Sequence, residues 1–206
     1  VDSAFYLFVN GREVGFGQIS HAMNEFDISD FIRTGENTLD IIVLKWSAGS
    51  YLECQDKFRF TGIFRSVYLL RRPQKHITDF KISTDYKDGR GSITVENLSQ
   101  IAFSFAAAGK EGQVYPGERA EILIENAEPW SAETPYLYDV VLSANGEKIL
   151  QRVGLRRIAI ENSVFKLNGK PIKLKGVNRH EMHPETGATV SVKNTIADLK
   201  LMKWAN

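Results

Sequence analysis

The sequence predicts a mainly β fold built around a β-sandwich, and three observations predict it. Asn-Gly pairs at Asn10-Gly11, Asn145-Gly146 and Asn168-Gly169 each separate two strand-like runs. This is the strongest short hairpin signal, because a type I′ turn needs positive φ at both central positions. Between residues 73 and 158, short segments rich in branched and aromatic residues recur at the spacing of a sandwich. Helical spacing emerges only near the end, where Ile196, Leu199 and Met202 recur on one face.

The elements follow in order. Ala4 to Val9 and Val14 to Gly17 flank the first Asn-Gly turn and read as a hairpin. Phe26 to Asn37 is a short turn-rich connector that delivers the chain into a strand from Thr38 to Trp46. An irregular polar loop at residues 47 to 62 precedes one more expected strand, Ile63 to Leu70. Residues 1–72 therefore form the first piece, expected to be all β. In the second, 73–158, the expected strands are Ile77 to Thr84, Ser92 to Asn97, Ala102 to Ala108, Ala120 to Ile124, Tyr136 to Ser143 and Lys148 to Val153. With no cysteine pair in it, this is an immunoglobulin-like sandwich lacking the disulfide. The third piece, 159–206, opens with Val164 to Leu167, the Asn168-Gly169 turn and Ile172 to Val177, then changes period. Asn194 is the expected N-cap of a helix from Thr195 to Trp204. A hairpin, a loop and one helix cannot close a domain, so this piece reads as the opening of something truncated.

Composition narrows the function. Of 206 residues, 43% are hydrophobic and 25% charged, which is enough for a real core and argues against disorder. Twenty-six basic side chains against 25 acidic ones give a net charge of +1, so no nucleic-acid partner and no anionic membrane surface is expected. No run approaches the ~20 apolar residues of a spanning helix, and no signal-peptide pattern is visible ahead of the first expected strand. The single cysteine, Cys54, excludes an intramolecular disulfide and a Cys-rich zinc site, and leaves cytoplasm and periplasm both open.

Two segments carry residues suited to chemistry. From Trp46 to Arg65, aromatics alternate with carboxylates and guanidinium groups. Such a mixture suits a sugar, whose C–H faces lie on rings while Asp and Arg hydrogen-bond its hydroxyls. The blander reading is a surface loop whose rings pack on the fold and whose charges pair locally. Glu53 and Asp56 are a possible carboxylate pair, but catalysis from these two alone is not expected. The second segment, Gly176 to Pro184, places Asn178, Arg179, His180, Glu181 and His183 just after an expected strand, where barrels and open sheets carry their sites. A zinc reading of His180 and His183 fails on spacing, since zincin histidines stand at i and i+4 on a helix and Pro184 disfavours helix at His183. His21 and His76 sit among turn and linker residues and read as solvated. Phosphate-loop, dinucleotide and nucleophile-elbow motifs are all missing.

At these segments the sequence resembles the bacterial β-galactosidases of glycoside hydrolase family two. The resemblance rests on Val1 to Phe5 through Asn10-Gly11, Glu25-Phe26-Asp27, Gly35-Glu36-Asn37, Ser50-Tyr51-Leu52-Glu53 with Gln55-Asp56, and Gly62-Ile63-Phe64-Arg65. Farther on it rests on Pro129-Trp130-Ser131, Pro135 to Tyr138, and Asn168-Gly169-Lys170-Pro171 leading to Gly176-Val177-Asn178-Arg179-His180-Glu181. The resemblance implies a partial jelly-roll sugar-binding domain over 1–72, the immunoglobulin-like sandwich over 73–158, and the first strand and helix of a truncated TIM barrel over 159–206. It implies a retaining glycosidase acting on terminal β-D-galactosides of the lactose type, with sibling β-glucuronidase and β-mannosidase activities as close alternatives. A non-catalytic carbohydrate-binding sandwich is the alternative of another class. Retention needs an acid and a nucleophilic carboxylate about 5 Å apart. The resemblance puts both glutamates beyond Asn206, so this chain holds no catalytic residue and is expected to be inactive alone. It further implies that Asp56 contacts the substrate and ligates sodium, that His180 contacts the sugar, and that Arg179 and Glu181 hold the loop. Mg2+ and Na+ are the implied cofactors, with the magnesium ligands downstream. The implied partners are a galactoside and further copies of the protein, and cut sheet edges are expected to drive self-association of the chain. Between Asn97 and Tyr115 the sequence is shorter than in the best-known members, a departure within the sandwich.

Overall fold

The computed structural model describes residues 1–20, 22–53 and 58–205. By packing, the chain divides into a unit of residues 1–69 with 177–206 and a second unit of residues 70–176.

In the first unit, β1 (Ala4–Val9) is the centre of an antiparallel sheet, with β2 (Arg12–Gly17) on one side and β3 (Leu39–Leu44) on the other. The first hairpin turns at Asn10 and Gly11, with φ of 52° and 77°, the positive pair that a type I′ turn requires. Asn10 also ties the turn to the connector, its Nδ2 donating to the Phe31 carbonyl at 2.9 Å and to Asn37 Oδ1 at 2.8 Å. Ala4, Phe5, Leu7 and Val9 are buried. The expected irregular loop contains a short helix, α1 (Ala48–Leu52).

The expected strand at Ile63 to Leu70 does not form: apart from a single backbone bridge between Asp2 and Gly62, the segment is irregular. Val67, Tyr68, Leu69 and Leu70 are all exposed. Branched and aromatic composition reports fitness for a pleated, half-buried surface, and here no neighbouring strand supplies one.

The second unit contains two packed sheets. β4 (Phe80–Lys87), β5 (Arg90–Asn97) and β8 (Arg119–Ile124) form one, in the order β4-β5-β8. β6 (Phe103–Ala107), β7 (Lys110–Val114), β9 (Tyr138–Ala144) and β10 (Glu147–Val153) form the other, in the order β10-β9-β6-β7. Consecutive strands cross from sheet to sheet between β5 and β6, and β8 returns beside β5, as in an immunoglobulin-like sandwich. The core is a single cluster in which Ile93, Val95, Phe103, Phe105, Val140 and Leu142 are almost fully enclosed. Strict alternation in β5, where Gly91, Ile93, Val95 and Asn97 are buried, follows from the period of two along a strand.

Five differences from expectation stand out here. Ile77 belongs to the core although its strand starts only at Phe80. β7 is a strand where none was expected. β11 (Ile158–Glu161), β12 (Val164–Leu167) and the two-residue β13 (Lys170–Pro171) form a small sheet that packs with the sandwich unit. The expected strand from Ile172 to Val177 is unpaired beyond that ladder, and Leu174 and Val177 are exposed. His76, expected to be solvated, is half-buried with Nδ1 at 2.8 Å from the Pro73 carbonyl.

The helix of the third piece, α2 (Val192–Trp204), is present, but its N-cap is Ser191 rather than Asn194. Ser191 Oγ accepts the Asn194 N–H at 3.2 Å, satisfying one of the amide donors that a helix start leaves open. Among the described residues no helix is long and apolar enough to cross a membrane.

Candidate functional site

The aromatic and charged loop after β3 builds a pocket of about 80 Å³. α1 sets one wall: the Ser50 N–H donates to the Ser47 carbonyl at 3.0 Å and Ser50 Oγ accepts the Ser47 N–H at 3.1 Å. At its other end the Glu53 N–H donates to the Gly49 carbonyl at 2.9 Å. A Cβ on Gly49 would lie 3.4 Å from the Glu53 carboxylate, so the glycine lets that carboxylate fold back along the helix. The opposite wall comes from far away in sequence. Asp2 is fixed to Gly62 by two backbone hydrogen bonds of 3.0 and 2.7 Å, and its Oδ1 accepts from Ser20 Oγ at 3.1 Å. Lys45, Trp46, Glu53, Arg59, Phe60 and Thr61 complete the lining. Trp46 also leans on Tyr51, with ring centroids 6.4 Å apart. The pocket thus combines apolar ring faces with hydroxyl, carboxylate and cationic groups, the set that a polyhydroxylated ligand needs.

The segment after Gly176 belongs to the same unit and touches this loop. Phe60, on the pocket wall, lies against Gly187: a Cβ there would meet its ring at 3.0 Å, and Gly187 has φ +60°. Gly187 and His183 exchange backbone hydrogen bonds of 2.8 and 2.9 Å. Arg65 reaches across to the segment, with Nη2 donating to Glu181 Oε2 at 2.8 Å and Nη1 to the Ala188 carbonyl at 2.7 Å. Arg179 bridges to α2, where Nε and Nη2 donate to Asp198 Oδ2 at 3.0 and 2.5 Å, while its Nη1 lies 3.9 Å from Glu181 Oε1. His180 is exposed, and its carbonyl accepts the Met182 N–H at 3.1 Å.

Of the residues singled out from sequence, Glu53 lines the pocket and Arg179, His180, Glu181 and His183 lie on the neighbouring segment. Asp56, and with it the expected sodium ligand and the Glu53–Asp56 pair, lies outside the described residues, as do Cys54 and His21. Among the described residues, no group of three or more His, Cys, Asp or Glu is placed to hold a metal ion. Sequence reading did not find Asp2 or Ser20, because only the folding of the sheet brings them to a loop that lies well downstream of both. Nor did it find the role of Arg65, whose acceptors lie more than 110 residues downstream.

Fold and site define a modular β protein with a pocket lined by aromatic, hydroxyl, carboxylate and cationic side chains. The model of the sugar binding domain of glycosyl hydrolases family 2 matches residues 1–73, that of glycosyl hydrolases family 2 matches residues 66–156, and that of the family's TIM barrel domain matches residues 158–206. The chain belongs to glycosyl hydrolases family 2. A β-galactosidase of Staphylococcus xylosus is 41% identical over 215 residues, covering 100% of this chain and 22% of that protein. One of Actinobacillus pleuropneumoniae is 40% identical over 214 residues, covering 100% and 21%. The chain therefore spans about a fifth of the length of the curated relatives it matches. Among solved structures, a β-glucuronidase from Ruminococcus gnavus superposes with a TM-score of 0.82 at 20% identity, over 99% of this chain and 40% of that one. The β-glucuronidase of Lactobacillus rhamnosus gives 0.79 at 23%, over 99% and 39%. At these identities the likeness is one of fold.

Proposed function

We propose that the protein carrying this chain is a retaining glycosidase acting on terminal β-D-galactosides, and that this chain supplies sugar-facing loops rather than the two catalytic carboxylates. The observation that carries this reading is the 40 to 41% identity to two β-galactosidases over the whole chain, against 20 and 23% for the two β-glucuronidase structures. In this reading Asp56 accepts hydrogen bonds from galactose hydroxyls, and its carboxylate would supply the hard oxygen donors that a sodium ion takes. His180 contacts the sugar from the other segment. The catalytic glutamates and magnesium ligands lie downstream of Asn206, and the chain alone turns over nothing.

A β-glucuronidase is the second reading, and one observation favours it: Lys45 and Arg59 both line the pocket, and a uronate carboxylate pairs with such cations. Asp2 and Glu53 on the same walls offset that charge, and they suit a neutral sugar better.

The test is steady-state hydrolysis by the full-length protein of matched nitrophenyl β-galactoside, β-glucuronide and β-mannoside, with Asp56→Asn alongside. The galactoside is expected to dominate, and the variant to lose roughly 10- to 100-fold in kcat/KM, the worth of a charge-assisted hydrogen bond. A preference for glucuronide moves the assignment to the second reading. An unchanged variant removes Asp56 from the site.

A further inference from the structure

We propose that Arg65 is a positioning residue that sets the place of His180 by clamping the 179–188 segment to the loop that bears the pocket. The proposal rests on the reading of His180 as a sugar contact and extends it to a residue that does not itself touch sugar. The residue before His180 is tied to α2 through Arg179 and Asp198, and the residue after it is tied to the pocket loop through Glu181 and Arg65. Arg179 Nη1 also lies 3.9 Å from Glu181 Oε1, so Arg65, Glu181, Arg179 and Asp198 form one run of charges from the pocket loop to α2, and His180 sits between its two middle members. One guanidinium also spans the segment: Arg65 takes Glu181 with one nitrogen and the Ala188 carbonyl with the other, so it closes the intervening turn on itself. Two further contacts, a 3.2 Å hydrogen bond to the Phe64 carbonyl and the Phe64 ring 4.9 Å away, hold the guanidinium on its own loop. A planar fork with donors on two nitrogens can do this, and an ammonium cannot.

The exposure of the pair decides between a stabilising and a positioning role. The side chains of Arg65 and Glu181 are 47% and 54% exposed, and an ion pair so open to water adds little to global stability. What it fixes is geometry: a displacement of about 1 Å in a substrate contact can cost up to about 100-fold in rate.

The experiment compares Arg65→Gln and Arg65→Lys in the full-length protein, by hydrogen exchange and by galactoside kinetics. Arg65→Gln is expected to raise amide exchange across 179–188 at least tenfold while the sandwich amides stay unchanged. It is also expected to lower kcat/KM about tenfold, mostly through kcat. Lysine, which reaches one acceptor of the two, recovers part of the loss. Unchanged exchange at 179–188, or a rise shared by the whole chain, overturns the clamp. If the unaltered protein hydrolyses no galactoside, the functional reading and the kinetic half of this proposal fall together, while the exchange data still decide whether Arg65 clamps the segment.

Discussion

Arg72 and Glu147 join the start of the sandwich to the tip of its last hairpin. Arg72 Nε donates to Glu147 Oε1 at 2.7 Å, and the other carboxylate oxygen accepts the Ile77 N–H at 3.0 Å. Arg72 Nη2 reaches the Ile77 carbonyl at 2.5 Å, and Asn145 Nδ2 donates to the Lys75 carbonyl at 2.9 Å. With 22% and 12% of their side chains exposed, this is an enclosed pair, and removing one partner leaves the other charge poorly hydrated. Glu147→Gln should cost about 2–3 kcal/mol, somewhat below the full penalty for a wholly buried pair. The double variant Arg72→Met/Glu147→Met should recover most of it. Urea titration of the chain measures both, and a double variant no better than the single one would contradict this account.

The same pair gives the chain an acid-sensitive component. Burial pushes Glu147 up, but hydrogen bonds from Arg72 and from the Ile77 N–H outweigh it and hold the carboxyl below its usual range. Asp85 is also held low, chiefly by its hydrogen bond to Arg157. A carboxyl whose folded pKa lies below its unfolded value stabilises the fold above the unfolded pKa, about 4, and loses that contribution as pH falls through the folded one. Stability should therefore be level above about pH 5 and decline toward pH 3. Glu147→Gln/Asp85→Asn should flatten that decline, and salt should weaken only the half-exposed Asp85 share. Melting temperatures across this range provide the check, and equal slopes in the two proteins would refute it.

Asn97 is fully buried at the end of β5, where its side chain replaces missing ladder bonds. Nδ2 donates to the Ile101 carbonyl at 2.8 Å and to the Val114 carbonyl at 3.2 Å, while Oδ1 accepts the Ser99 N–H at 2.8 Å. The chain passes here from one sheet to the other, and the amide serves backbone groups on both sides of the crossing. Asn97→Ala leaves them without partners and should cost about 2–4 kcal/mol. Asn97→Asp, which keeps the acceptor but buries a charge, should cost at least as much. Denaturant midpoints for the two variants test this, and a loss below about 1 kcal/mol would show that water replaces the side chain.

The hairpins were legible because their turn residues carry the backbone requirement openly. Asn145 and Gly146 have φ of 50° and 82°, and Asn168 and Gly169 have 49° and 77°, as the Asn-Gly pairs predicted. β7 was not legible. Its sequence, Lys-Glu-Gly-Gln-Val, buries only Val114, and the turn that makes it a strand pairs Gly109 at φ +72° with Ala108 at φ +50°, where Asn or Asp would have announced it. Gly112 is in β7 because the Phe105 ring covers it, 2.7 Å from where a Cβ would stand, a tertiary reason that no local pattern shows. The opposite error came from Ile63 to Leu70 and Ile172 to Val177, where composition invited a strand but pairing depends on a neighbour. At the site, residue types in the Trp46 to Arg65 loop announced a polar-aromatic pocket. Asp2, Ser20 and the long-range acceptors of Arg65 depend on topology, and sequence separation concealed them.

Gly187 is where the pocket loop and the 179–188 segment come closest to overlapping, and it makes the sharpest local test. Its φ of +60° is one that side chains adopt only with strain, and an added Cβ would press on three carbons of the Phe60 ring at 3.0, 3.1 and 3.2 Å. Both effects act at one place. Gly187→Ala should therefore cost about 1–2 kcal/mol in local stability, the sum of a left-handed penalty and a modest overpacking term. Because Phe60 also lines the pocket, the cost should appear on both sides of the contact, as faster amide exchange at 183–189 and at 59–62. A second substitution separates the two causes. Phe60→Leu removes the ring edge and leaves the backbone strain, so Gly187→Ala should cost less in that background by about half. If the cost is the same with and without the ring, the glycine is required for its backbone conformation alone, and the packing of Phe60 on this turn plays no part in holding the segment.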